Sequence, residues 1–219
     1  MRSDSGSTGQ RRRPEAHRSF IEQARRAQLI ECAIEVVCEL GYGGASLSRI
    51  AERAGVSKGV VSYHFVGKAE LIEEVVHDVL ARGEAYAARE WFDRLPDDAG
   101  AWDLLSTYLR SNLTYIAAHP RALQALVQII GNHRDGEGRR IFGPAWSAKL
   151  RAPIESICRG GQEAGEFRGF DVHVMAIAVR RVIDGFVFEL LDHPDLDAAA
   201  FIEEVVDMFD HATRAERAR

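Results

Sequence analysis

The chain has 219 residues, 46% of them hydrophobic and 28% charged, with a net charge of −5. Such a balance suits one compact unit or two small ones with an ordinary core, and it excludes a polyanion binder working by bulk charge. The charge is unevenly spread: residues 1–66 carry ten Lys+Arg against seven Asp+Glu, a net of +3, and residues 67–219 carry 18 against 26, a net of −8. A basic front on an acidic body is the pattern of a local nucleic-acid face. Cys32, Cys38 and Cys158 have no metal-ligand spacing and leave one over in any pairing, so reduced thiols in a cytoplasmic protein are expected. No apolar run reaches membrane-spanning length, so no membrane partner is expected.

Residues 1–17 are rich in Ser, Gly and Arg, with Arg11-Arg12-Arg13 before Pro14. Nothing there is apolar enough to bury, so a disordered basic tail is expected, either solvated or reaching a DNA groove. From Ser19 the pattern turns helical. Ile30, Ala33, Ile34, Val37 and Leu40 recur at three- and four-residue steps, and Gly41 is placed to end the helix.

The stretch SLSRIAERAGVSKGVVSYHF, residues 46–65, is the most informative in the chain. Ser46 is an N-cap for a helix carrying Leu47, Ile50, Ala51 and Ala54. Gly55 supplies the positive φ of a sharp turn, Val56 plugs the angle, and Ser57 caps a second helix. In that helix Val61 points inward together with Phe65. Lys58 and Ser62 share an outer face, with Gly59 and Tyr63 beside them. This small, polar, cationic face suits entry into a DNA groove. Two of the chain's three lysines, Lys58 and Lys68, fall in this region.

Gly41-Tyr42, Ser46, Ile50-Ala51, the run from Ala54 to Gly59, Tyr63-His64-Phe65, Lys68 and Leu71 together resemble the N-terminal domain of TetR-family transcriptional regulators over residues 20 to 75. The resemblance implies a three-helix DNA-binding domain, an all-α C-terminal domain, homodimerisation, and repression relieved by a small-molecule effector. It implies that Ser46 touches a phosphate, that Lys58 and Gly59 approach the DNA, and that Tyr63, His64 and Lys68 contact the backbone and nearby base edges. Ser57, Val60 and Ser62 complete the expected DNA face. The family commonly has Thr, Leu and Tyr where this chain has Val60, Val61 and Ser62. A hydroxyl and a ring are therefore missing, and Val60 is left to pack on a thymine methyl.

The domain boundaries expected are a tail over 1–17, a helix-turn-helix domain over 18–66 and a helical effector-binding and dimerisation domain over 67–219. A long helix from Gly67 through Leu71, Ile72, Val75, Val76 and Val79 links the two halves. Helices are expected over 101–118, from Pro120, over 144–164, over 170–191 and after Asp197. Pro153 is expected to break the 144–164 helix near Arg151, and Gly160-Gly161 to weaken its end. Residues 131–143 (GNHRDGEGRRIFG) read as a mobile connection.

The last two helices are apolar over more than one face. A dimer interface is expected at Val179, Ile183, Phe186, Val187, Leu190, Phe201, Val205, Met208 and Phe209, forming a four-helix bundle with a second copy. Residue type alone nominates Trp102, Tyr108, Asn112, Gln128, Trp146, Arg180 and Asp184 for a ligand pocket; Arg180 and Asp184 also read as an intrahelical ion pair. Neither a catalytic motif nor a metal-ligand or cofactor pattern occurs, so no enzyme, metal or cofactor is expected. The expected partners are palindromic operator DNA, a second copy of the chain and an unidentified effector. An activator, a ligand-independent regulator, and more remotely a helical ligand carrier or enzyme with a degenerate DNA domain, are the alternatives.

Overall fold

The computed structural model describes residues 15–215; the Arg-rich tail of residues 1–14 lies outside them. Nine α-helices account for the described architecture. They are α1 (Glu15–Gly44), α2 (Leu47–Arg53), α3 (Lys58–His64), α4 (Lys68–Glu90), α5 (Ala101–Ala118), α6 (Pro120–Asn132), α7 (Pro144–Glu163), α8 (Val172–Asp192) and α9 (Ala198–Thr213). A short 3-10 turn, Phe92–Arg94, follows α4. The first turn of α1 begins at Glu15, inside the stretch expected to be tail.

Local chemistry sets the helix ends. Gly41 has φ 72° and interrupts α1, as a stop at that position requires. Ser46 accepts the Arg49 N–H at 3.3 Å and Ser57 accepts the Val60 N–H at 3.4 Å, each satisfying a donor that the first helical turn leaves free. Asp171 and Asp197 do the same for α8 and α9 at 2.9 and 3.0 Å. The N-terminus of α5 is held from a distance: the Glu166 carboxylate accepts the N–H groups of Ala101 and Trp102 at 2.7 and 2.8 Å.

Two apolar clusters form the interior. The first joins α1 to α4 with Ala125, Leu126 and Ile129 of α6, and with Phe142. The second joins α5, α7, α8 and α9 around Leu109, Leu113, Ile154, Ile183 and Phe186. The core of the three N-terminal helices therefore extends past residue 66: α6 lies along α1, and α4 packs against both α1 and α6.

Three expectations are corrected. Helix α7 runs unbroken through Pro153, because neighbouring turns and the packing of Ile154 and Cys158 hold the segment helical. Helix α7 also continues past Gly160 to Glu163, and Gly161 has a packing role: it is buried, and a methyl there would overlap the Phe167 ring and lie 2.8 Å from the Ala101 Cβ, so its bareness admits the loop that carries Glu166. The connection over 133–143 is fastened rather than loose. The Asp135 carboxylate accepts the N–H groups of Glu137 and Arg139, both at 2.9 Å, and the Arg139 side chain at 2.8 Å. Arg134 and Arg140 pair across it, and His133 and Phe142 are buried at its two ends.

Candidate nucleic-acid interface and ligand cavity

Helices α2 and α3 present their outer faces because their inner faces are fixed. Ile50, Ala51, Val61 and Phe65 are buried against α1 and α4. Gly55, at φ 67°, makes the turn between α2 and α3, and Val56 packs on the core there. Arg26 of α1 lies 4.3 Å from the centre of the Phe65 ring, and its guanidinium donates to the carbonyl of His64. Thus α1 clamps the end of α3. Arg53 of α2 pairs with Glu35 and Glu39 of α1, holding the Glu39 carboxyl below its ordinary range.

With that side locked, Lys58, Gly59, Ser62 and Tyr63 are exposed, Tyr63 to 74%, while Val60 is half-buried. The Ser46 and Ser57 hydroxyls are spent on capping, although each oxygen keeps its own O–H to donate. The His64 ring meets Tyr63 edge-on at 5.1 Å, and the Tyr63 hydroxyl donates to Glu22 at 3.3 Å. Among the described residues, Lys58 and Arg49 are exposed and have no carboxylate in ion-pair range. Arg49 carried no motif signal; its place one turn from Ser46 and its exposure bring it out.

Lys68 is placed differently. Its ammonium donates to the Tyr42 carbonyl at 2.7 Å and sits 4.3 Å from the centre of the Tyr42 ring. Burial lowers its pKa. It ties the start of α4 to the end of α1 and retains two further donors. Tyr42 continues the tie, because its hydroxyl meets His133 Nδ1 at 2.7 Å. His133 is 2% exposed, and its Nε2 lies 3.2 Å from Glu73 of α4. Beyond it the Phe142 ring is at 5.9 Å from His133, and Trp146 is at 5.2 Å from Phe142. Sequence reading used Tyr42 only as a motif position and missed His133 and Phe142. A polar residue just after a helix carries no periodic signal, and only tertiary packing makes it central.

Trp146 lines a cavity of about 580 Å³ between α4, α5, α6, α7 and α8. Its walls are largely aliphatic, with Leu80, Ile116, Leu126, Ile130, Leu150 and Val187 among them. Of the residues nominated for a pocket, Trp146, Arg180 and Asp184 line it and the other four do not. Trp102 and Tyr108 pack in the second core, Asn112 donates to the Tyr108 carbonyl at 2.8 Å, and Gln128 lies by Gly41 at the α1–α6 contact. Arg180 Nε donates to Asp184 Oδ1 at 2.8 Å. Burial opposes the Arg180 charge, but Asp184 and Tyr108 outweigh it and raise the pKa.

The nominated dimer residues divide likewise. Val179, Ile183, Phe186, Val187, Val205 and Phe209 are buried in the protomer's own second core, so they are not a surface that a second copy can reach. Phe201 stacks on Phe186 at 4.7 Å, and Leu190 is half-buried. Met208 alone of the nine is exposed, to 50%. The outward apolar residues of α8 are instead Val174 and Leu191, with Ile177 and Phe188 at the mouth of the cavity. Helical periodicity detected the apolar faces of α8 but did not say which one the protomer itself would use.

Comparison with known proteins places this geometry. Residues 29–75 match the model of bacterial regulatory proteins of the tetR family. The N-terminal domain is of the TetR family. Over 70 residues the chain is 40% identical to the HTH-type transcriptional regulator BetI 1 of Chromohalobacter salexigens, covering 32% of this chain and 35% of that one. The chain thus spans about a third of the length of the curated relatives it matches. Solved structures extend the likeness of fold to the body. A bacterial regulatory protein in the tetR family from Rhodococcus RHA1 superposes with a TM-score of 0.74 at 19% identity, over 87% of this chain and 97% of that one. The ketosteroid transcriptional regulator of Mycobacterium tuberculosis does so with 0.68 at 22% identity, over 88% and 96%. The architecture is therefore all-α, with an N-terminal helix-turn-helix domain and a C-terminal helical domain.

Proposed function

We propose that this chain is a homodimeric transcriptional repressor that binds a palindromic operator through α2 and α3 and lets go when a small molecule enters the body. The observation that carries the reading is the exposed face of Lys58, Gly59, Ser62 and Tyr63, backed by the buried Val61 and Phe65. A rigid polar face with an unpaired cation at a helix start is fitted to a phosphate-lined groove. Ser46, Ser57, Val60 and His64 border this face, with Arg49 added from the structure. Lys68 contributes to it through the spare donors of its ammonium.

A two-fold partner suits a palindrome, and the outward residues Val174 and Leu191 of α8, with Met208 of α9, supply an apolar surface for it. Relief has a physical route: Trp146 lines the cavity, and Phe142, His133 and Tyr42 connect it to Lys68 at the start of α4. A ligand that shifts Trp146 disturbs contacts which fix α4 against α1.

An electrophoretic shift assay on the chain's own upstream DNA tests this reading. Binding is expected to weaken steeply with salt, and Lys58→Ala to weaken it on all sequences. Equal affinity for upstream and random DNA would refute it. Light scattering of Leu191→Glu is expected to show a monomer where the wild type is a dimer.

A further inference from the structure

The body carries a net charge of −8 over residues 67–219, yet its cavity is lined by Arg140, Arg151, Arg180 and Arg181 against one carboxylate, Asp184. Only Arg180 is answered by that carboxylate. Among the described residues Arg140, Arg151 and Arg181 have no acidic partner. Arg151 is the most telling. Its Nε is buried and makes no hydrogen bond, a state that costs free energy unless an acceptor meets its N–H. Arg140 and Arg181 are exposed and stand at the rim, beside Ile177 and Phe188.

We infer that the cavity binds an amphipathic anion, an apolar body ending in a carboxylate or phosphate ester, with the anionic end taken by Arg151 and screened at the mouth by Arg181 and Arg140. This deepens the ligand-relieved reading of the same cavity and rests on it. The volume of about 580 Å³ is that of a small-molecule site, and the aliphatic walls leave little else for the body of the ligand to be. A guanidinium offers forked donors that match a planar carboxylate or a phosphate face. A neutral apolar molecule would leave Arg151 unanswered. A cation would face four arginines with one carboxylate already engaged.

Four probes with one chain length separate these cases: decanoate, decyl phosphate, decanol and decyltrimethylammonium. Binding is read by calorimetry on the wild type, and by Trp146 fluorescence in a Trp91→Phe, Trp102→Phe background, since neither of those tryptophans lines the cavity. Decanoate or decyl phosphate is expected to bind saturably, decanol at least tenfold more weakly, and the ammonium not at all. Whichever anion binds more tightly identifies the head group. Arg151→Met is expected to weaken the anions tenfold or more and leave decanol unchanged, while Arg151→Lys restores part of the loss. If Arg151→Met does not fold, Arg181→Met is expected to cost the anions several-fold. Decanol binding as tightly as both anions, unchanged anion affinity in whichever of these variants folds, or no probe binding at all would overturn the inference. Operator release separates it from the parent reading. An anion that binds without releasing DNA supports the ligand class and refutes the relief. Release by decanol alone refutes the class and keeps the relief.

Discussion

The two halves of this molecule present their functional groups in opposite ways. In the N-terminal half, the candidate DNA face runs along one continuous stretch from Ser46 to Lys68 and rests on the buried Ile50, Ala51, Val61 and Phe65. In the body, the cavity draws on α4, α5, α6, α7 and α8, from Leu80 to Phe188. A local face needs only caps, a turn and periodicity; a cavity needs the correct packing of five helices. The first is robust in sequence and tolerant of change in the rest of the chain. The second depends on contacts distant in sequence, and α6 joins the two by packing against α1 on one side and lining the cavity on the other.

The largest effect is expected of Phe65→Ala, which tests whether the two halves fold as one. Phe65 is 1% exposed and joins α3 to α1, and losing it is expected to cost about 3–5 kcal/mol. Because α6 shares that core, thermal melting followed by circular dichroism should lose the helical signal of the whole chain in one transition. Two separate transitions would mean that the halves are independent.

Next comes a pair of neighbouring glycines in α7. Gly161→Ala overlaps Phe167 and is expected to destabilise by about 1–3 kcal/mol. Gly160→Ala meets nothing within 4 Å and is expected to stabilise the helix by about 0.5–1 kcal/mol. Denaturant midpoints would register opposite signs one residue apart.

Tyr42→Phe tests the joint between the halves. It leaves the buried Nδ1 of His133 without its partner, at a cost of about 1–3 kcal/mol. Operator affinity should fall less than the sensitivity of operator release to ligand, as measured in the same shift assay. An unchanged ligand response would remove this route from the mechanism.

The smallest effect concerns acid. Hydrogen bonding to Arg53, against the opposing effect of desolvation, lowers the Glu39 pKa. A carboxyl with a lowered folded pKa contributes stability above its unfolded pKa and loses it as pH falls through the folded value. Arg53→Met is therefore expected to flatten slightly the acid limb of the stability curve below about pH 5, with little change at the alkaline end. An identical acid limb in wild type and variant would show that solvent screens the pair completely.

Much of the N-terminal half was legible in sequence for identifiable reasons. Ser46 and Ser57 are cap residues in cap positions, Gly55 is a glycine where φ is positive, and Val61 and Phe65 repeat at helical spacing. In the body the helices could be placed, but their faces could not be assigned. Pro153 reads as a breaker, yet it sits in a continuous helix because tertiary contacts outweigh one lost hydrogen bond. Val179 and Ile183 read as interface, yet the protomer's own α5 and α7 claim them.

The helices, their caps and the resemblance that places a helix-turn-helix at residues 46–65 are written in the sequence, because these depend on neighbours within a turn or two. The outward face of α8, the tie of Lys68 to Tyr42 and the meeting of four arginines from three segments at one cavity emerge from long-range packing. Those outcomes depend on side chains brought together from up to a hundred residues apart, and local periodicity carries no record of such partners.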